Sequence, residues 1–140
     1  MRELNFNSGI ESFSVNGVEN ALRFNPTDIE LLRKIYVSMK DLEAKQKERN
    51  SAQSDSDDII DTLNKAKQLD IEMRGIIDGV FGDGLCNKIF GDASLYAFAD
   101  GLPVWQNFIL AVIDLFDEAT KREAALSNEK IQKYVKKYHK

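Results

Sequence analysis

Two Phe-Gly-Asp triplets nine positions apart, Phe81-Gly82-Asp83 and Phe90-Gly91-Asp92, interrupt a chain that keeps helical spacing on both sides of them. Glycines at 75, 79 and 84 crowd the first triplet. Gly79, Gly82, Gly84 and Gly91 free the backbone for positive φ, so they are expected to stop one helix and turn the chain before the next begins. Between them, GLCNKIF reads as a short helical piece with Leu85, Ile89 and Phe90 on one side. Phe81 and Phe90 then fold inward as anchors of a structural corner. The functional alternative is an exposed aromatic knuckle that a partner grips.

The flanking segments are defined by period. Before the corner, Ile59, Ile60, Leu63, Ala66, Leu69, Met73, Ile76, Ile77 and Val80 recur at three- and four-residue steps, predicting a helix over 57–80 with the acids of DSDD at its start. After it, ASLYAFADGL is ambiguous and reads as a short helical turn closed by Gly101. Pro103 suits the first turn of a helical part over 103–140, in which Val104, Trp105, Phe108, Ile109, Val112, Ile113, Leu115, Phe116 and Ala119 form a wide apolar face. Ser127 or Asn128 is a candidate cap for a separate last segment.

Nearer the N-terminus, residues 1–24 read as strand. Asn16-Gly17 lies between two alternating runs, Phe13 and Val15 on one arm, Leu22 and Phe24 on the other. This is the strongest short hairpin signal, because a type I′ turn needs positive φ at both central residues. ELNF is a candidate third strand. A helix over 26–48 follows, with Thr27 and Glu30 as a capping box or Asn25-Pro26 as the alternative start. Its stripe of Ile29, Leu32, Ile35, Tyr36, Met39 and Leu42 fades after Leu42, which makes 45–58 a polar connector or a frayed end. The expected fold is α+β, mainly α: one domain over 1–140, with an N-terminal β-hairpin packed on three long helices and a glycine-bounded corner over 81–92.

Catalytic chemistry is scarce. His139 is the only histidine and Cys86 the only cysteine, which removes a histidine-based triad, a two-histidine zinc motif and an internal disulfide. Cys86 is expected to be a small buried residue. The glycines follow a helix and no Gly-Lys-Ser/Thr comes after them, so they do not form a phosphate loop; Asp78, Asp83 and Asp92 lack EF-hand spacing. Asp57 and Asp58 read as a solvated helix start. We therefore expect no enzyme, cofactor or metal site. The longest apolar run, VWQNFILAVIDLF, is broken by Gln106, Asn107 and Asp114, so no membrane span is expected. With no apolar signal core in MRELNFNSG and a single thiol, the expected compartment is the cytoplasm. Residues 121–140 carry +5 within a net charge of −4, which leaves −9 on residues 1–120. That basic tail reads as a solvated helix end; nucleic-acid binding is the alternative.

Taken together, the hairpin FSVNGVENALRFNPTD, the polar middle and the block IDGVFGDGLCNKIFGD resemble tail assembly chaperones of long-tailed phages and prophages of Gram-positive bacteria. The specific part is a pattern matched by Ile77, Asp78, Phe81, Gly82, Gly84, Lys88, Ile89, Phe90 and Gly91. The resemblance implies a small, mostly helical, non-catalytic protein of the host cytoplasm that solubilises the tape-measure protein during tail morphogenesis. It also implies self-association, contact with the tail-tube protein, and a longer frameshifted form of which this chain is the short counterpart. Phe81, Phe90, Trp105 and Phe108 are the candidate partner-binding residues. Two other readings are a small regulatory nucleic-acid-binding protein using the basic tail, and a tail or head-completion component of the virion.

Overall fold

The structure, a computed structural model, describes residues 1–51 and 58–138, with side chains throughout except at 134, 137 and 138. It is mainly helical, with a two-stranded N-terminal hairpin. Strands β1 (Glu11–Val15) and β2 (Val18–Phe24) pair antiparallel, and Asn16 and Gly17 between them have φ of 47° and 84°. Both positive angles are those of the type I′ turn that an Asn-Gly pair favours. Between the Phe13–Leu22 and Val15–Val18 pairs the register slips, and Asn20 takes up the irregularity at φ 54°. This keeps Leu22 and Phe24 buried, while Phe13 and Val15 cover them from β1. The ELNF segment forms no strand.

Helix α1 (Ile29–Ser51) is capped by Asp28, whose carboxylate accepts the Glu30 and Leu31 amides at 3.0 and 3.4 Å. Neither expected start is the cap. Asn25 instead organises the turn before the helix, accepting from the Thr27 amide and hydroxyl at 2.8 and 2.7 Å, and Glu30 pairs with Arg33 rather than reaching back. The expected polar connector is also corrected in part, since residues 45–51 are helical; residues 52–57, including Asp57, lie outside the described residues. Helix α2 (Ile59–Phe81) starts on Asp58, which accepts the Ile60 and Asp61 amides at 2.9 and 3.4 Å. Its core face is Ala66, Leu69, Met73 and Ile77, whereas Ile59, Ile60 and Leu63 are exposed.

A five-residue helix, α3 (Leu85–Ile89), forms the corner and packs against β2. The ambiguous segment that follows is a second small hairpin, β3 (Phe98–Ala99) with β4 (Leu102–Pro103). Asp100 and Gly101 turn it at φ 53° and 81°, so the Asp-Gly pair was the missed signal. Helix α4 (Val104–Tyr138) then runs unbroken through Ser127 and Asn128, neither of which caps a new segment. No helix among the described residues is long and apolar enough to cross a membrane.

Phenylalanines join these elements. Phe24 lies 4.9 Å from Phe13, 5.6 Å from Phe116 and 6.3 Å from Phe81, ring centre to ring centre. Phe108 takes Phe81 and Phe90 edge-on at 5.6 and 5.7 Å. Offset and edge-to-face contacts at these distances suit the ring quadrupoles. At the far end, α1 and α4 meet where the Trp105 indole donates to Gln46 Oε1 at 3.0 Å.

Candidate functional site

The corner is built by one face of α2. Asp70, Arg74 and Asp78 follow one another at four-residue steps and so stack on the same side of the helix. Gly84, the residue before α3, has no side chain to cap it. Asp78 supplies the cap from outside, accepting the Gly84 amide at Oδ2 (3.2 Å) and the Cys86 amide at Oδ1 (3.0 Å). Arg74 donates from Nε to Asp70 (2.9 Å), from Nη1 to Asn87 Oδ1 (3.0 Å) and from Nη2 to the Ala93 carbonyl (2.6 Å). Asp70 also accepts the amide of buried Leu95 at 2.7 Å. Three charged side chains thus hold the whole segment from 84 to 95 against α2. Sequence reading missed Asp70 and Arg74; the D-x-x-x-R-x-x-x-D spacing was the available signal.

The glycines divide into two kinds. Gly82 (φ 126°, ψ 147°), Gly84 (φ 83°) and Gly91 (φ 57°) adopt backbone that L-residues avoid, as a turn requires. Gly79 does not belong with them: it is helical, inside α2, with open space where a Cβ would stand. Opposite effects are therefore expected from alanine at the two sites. Gly82→Ala should cost about 1–3 kcal/mol through backbone strain. By contrast, Gly79→Ala should stabilise by about 0.4–1 kcal/mol, chiefly by restricting the unfolded chain. Urea unfolding of the two variants checks both signs.

Cys86 is fully buried, with its thiol 3.6 Å from the Arg74 carbonyl. Burial first, and then the Asp78 carboxylate beside it, push the thiol above its ordinary range. A protonated, enclosed sulfur is a poor nucleophile. Among the described residues no group of histidine, cysteine or acid side chains is arranged to hold a metal. His139 lies outside them.

Three of the four aromatic candidates come together and the fourth does not. Phe81 and Phe90 are half-buried against Phe108, which is 8% exposed. Trp105, 1% exposed, sits apart beside Gln46. Trp105 lies in the core, whereas Phe81 and Phe90 are partly buried residues packed against it. Phe108 lines a surface opening. That opening is an apolar groove of about 410 Å³ between β1 and α4, lined by Ser12 to Asn16, Leu22, Phe108, Ala111, Val112 and Leu115. It exists because β1 pairs only with β2, and the hairpin and α4 meet through rings set beneath their adjoining edges. Phe13, Val15 and Leu115, all half-buried, give it apolar walls, and Asp114 and Glu118 stand exposed beside Leu115 on α4. The groove was not legible in the sequence, since its two walls lie about a hundred residues apart.

Comparisons of the chain with protein-family models, with curated proteins and with solved structures find no match.

Proposed function

We propose that this protein is a non-catalytic tail assembly chaperone that binds and solubilises the tape-measure protein in the host cytoplasm during phage tail morphogenesis. The observation that supports this reading best is the β1–α4 groove, an open apolar slot with polar rims and no reactive cluster in it. A slot of this kind takes the apolar face of an amphipathic helix, the form in which a long helical client presents hydrophobic residues. The block from Ile77 to Gly91 contributes indirectly. Through Phe81 and Phe90 it fixes Phe108, the groove's innermost ring.

Co-expression with a candidate tape-measure protein tests the reading. Wild-type chain should carry into solution a client that precipitates when expressed alone, and the two should elute together in size-exclusion chromatography. Leu115→Glu, which places a charge on the groove wall, should abolish the complex while leaving circular dichroism unchanged. An expressed client that stays insoluble with wild type would sink the chaperone reading. Full rescue by a folded Leu115→Glu variant would move the binding site elsewhere. A virion component would instead persist in purified particles.

A further inference from the structure

Past Ala119, the last buried residue of α4, a polar cleft of about 780 Å³ opens between three parts of the chain. It is lined by residues 7–11, by Thr27 and Ile29 where α1 begins, and by Thr120, Arg122 and Lys130 of α4. Within it Arg122 pairs with Glu11 at 3.0 Å. Exposed apolar side chains border the same space: Ile29 is 71% exposed, Ile10 47% and Leu126 44%. Leu126 stands four residues from both Arg122 and Lys130, so it shares their side of the helix. Exposed apolar residues scattered singly need no explanation, but three from separate segments around one cleft do.

The chain that enters the cleft carries a cover for them. Gly9 takes φ 78°, and its amide donates to Asn7 Oδ1 at 2.9 Å, which makes a local turn. Asn25 Nδ2 donates to the Ser8 carbonyl at 3.0 Å, and a Cβ on Gly9 would stand 2.5 Å from that same nitrogen. Ser8 and Gly9 are therefore fixed against the turn that leads into α1. Residues 1–6 are not: they make no hydrogen bond or ion pair among the described residues, and Leu4 and Phe6 are 85% and 77% exposed. Two positions apart, these side chains fall on one side of an extended chain. Phe6 adjoins Asn7, itself a lining residue, and Leu4 lies within about 10 Å of it at 3.3 Å per residue. The run of α4 from Arg122 to Lys130 is about 12 Å long, so the reach matches. A segment tethered this closely meets its own cleft at a millimolar or higher effective concentration, without the entropy cost of bringing in a second molecule.

We propose that residues 1–6 are a strap that closes over this cleft, with Leu4 and Phe6 covering Ile10, Ile29 and Leu126. The structure holds the strap open. Closing it ties the stretch of α4 beyond Ala119 to the start of α1. Every described side chain from Thr120 to Lys136 is exposed, and an isolated helix of that length is marginal in water. The strap thus decides whether the end of α4 is held or frays. It needs no client and stands or falls apart from the function proposed above.

Amide hydrogen exchange on the full chain, read over residues 120–133, tests the strap. Wild type is compared with Leu4→Ser/Phe6→Ser, with Leu126→Gln, which keeps good helix propensity, and with the chain carrying all three changes, each at two protein concentrations. All three side chains are exposed while the strap is open, so the fold should survive, and circular dichroism confirms it. The two serines should speed exchange along the stretch by about tenfold or more. After Leu126→Gln the same serines should add little, because the contact they remove is already lost. Equal exchange in wild type and Leu4→Ser/Phe6→Ser overturns the proposal, as does an effect of the serines that Leu126→Gln leaves undiminished. So does an effect that fades on dilution, which assigns the cover to a second copy.

Discussion

Replacing Arg74 by methionine is expected to destabilise the protein by about 2–4 kcal/mol, a large share of the stability of a domain this size. The methionine keeps the aliphatic stem and the helix propensity, so the loss isolates the guanidinium. That group holds three partners on three different segments: Asp70 on α2, Asn87 on α3, and the Ala93 carbonyl in the turn after it. Arg74 and Asp70 are each only 14% exposed. Removing the cation leaves a largely desolvated carboxylate that still accepts the Leu95 amide but has lost its counter-charge. Urea unfolding gives the size of the effect. Hydrogen exchange gives its location, because the Leu95 amide should lose protection ahead of the α4 core. If Arg74→Met unfolds within about 0.5 kcal/mol of wild type, the clamp is a surface ornament and the corner is held by its phenylalanines alone.

The second large effect is expected at Trp105. Trp105→Ala should cost about 3–5 kcal/mol, since it empties the largest fully buried side chain of the core. Trp105→Phe is the more informative change. It keeps most of the apolar volume but deprives Gln46 Oε1 of its donor at a site where Gln46 is only 6% exposed. A cost of about 1–3 kcal/mol is expected for that unsatisfied oxygen. Gln46→Leu/Trp105→Phe together should recover part of it, as removing both polar partners is cheaper than removing one. Trp105 is the only tryptophan, so unfolding has to be followed by circular dichroism rather than by indole fluorescence. Equal stability of Trp105→Phe and wild type would mean that the last turns of α1 are held by something other than this bond.

These two sites also mark where reading the chain by itself runs out. Lys45 to Ser51 looked like a connector because its residues are polar, and polar residues ordinarily face water. They are helical, and Gln46 is buried, because Trp105 sits 59 positions further on and needs an acceptor. The Lys45–Glu72 pair at 3.0 Å likewise couples the segment to α2. Nothing within a helical turn of Gln46 announces either partner. Asp70, Arg74 and Asp78 are a different case: their spacing places them on one face, but only the return of residues 84–95 across α2 turns ordinary surface charges into a clamp. The expected break at Ser127-Asn128 failed for a local reason. Both residues are tolerated in a helix when flanked by good helix formers, and AAL before them with EKIQK after them supply those.

By itself, the sequence determined the choices that neighbours a few residues apart control. The Asn16-Gly17 turn, the apolar stripes of α1, α2 and α4, and the glycines at 82, 84 and 91 that end one helix and begin another all follow from backbone sterics and three- to four-residue contacts. Tertiary structure decided which polar groups are buried and which apolar surfaces are left open. Gln46 inside, Leu126 outside, and a groove between β1 and α4 are outcomes of how far each element reaches past the others. Burial is a property of the assembled surface, set by contacts between residues distant in the chain, and no local pattern encodes it.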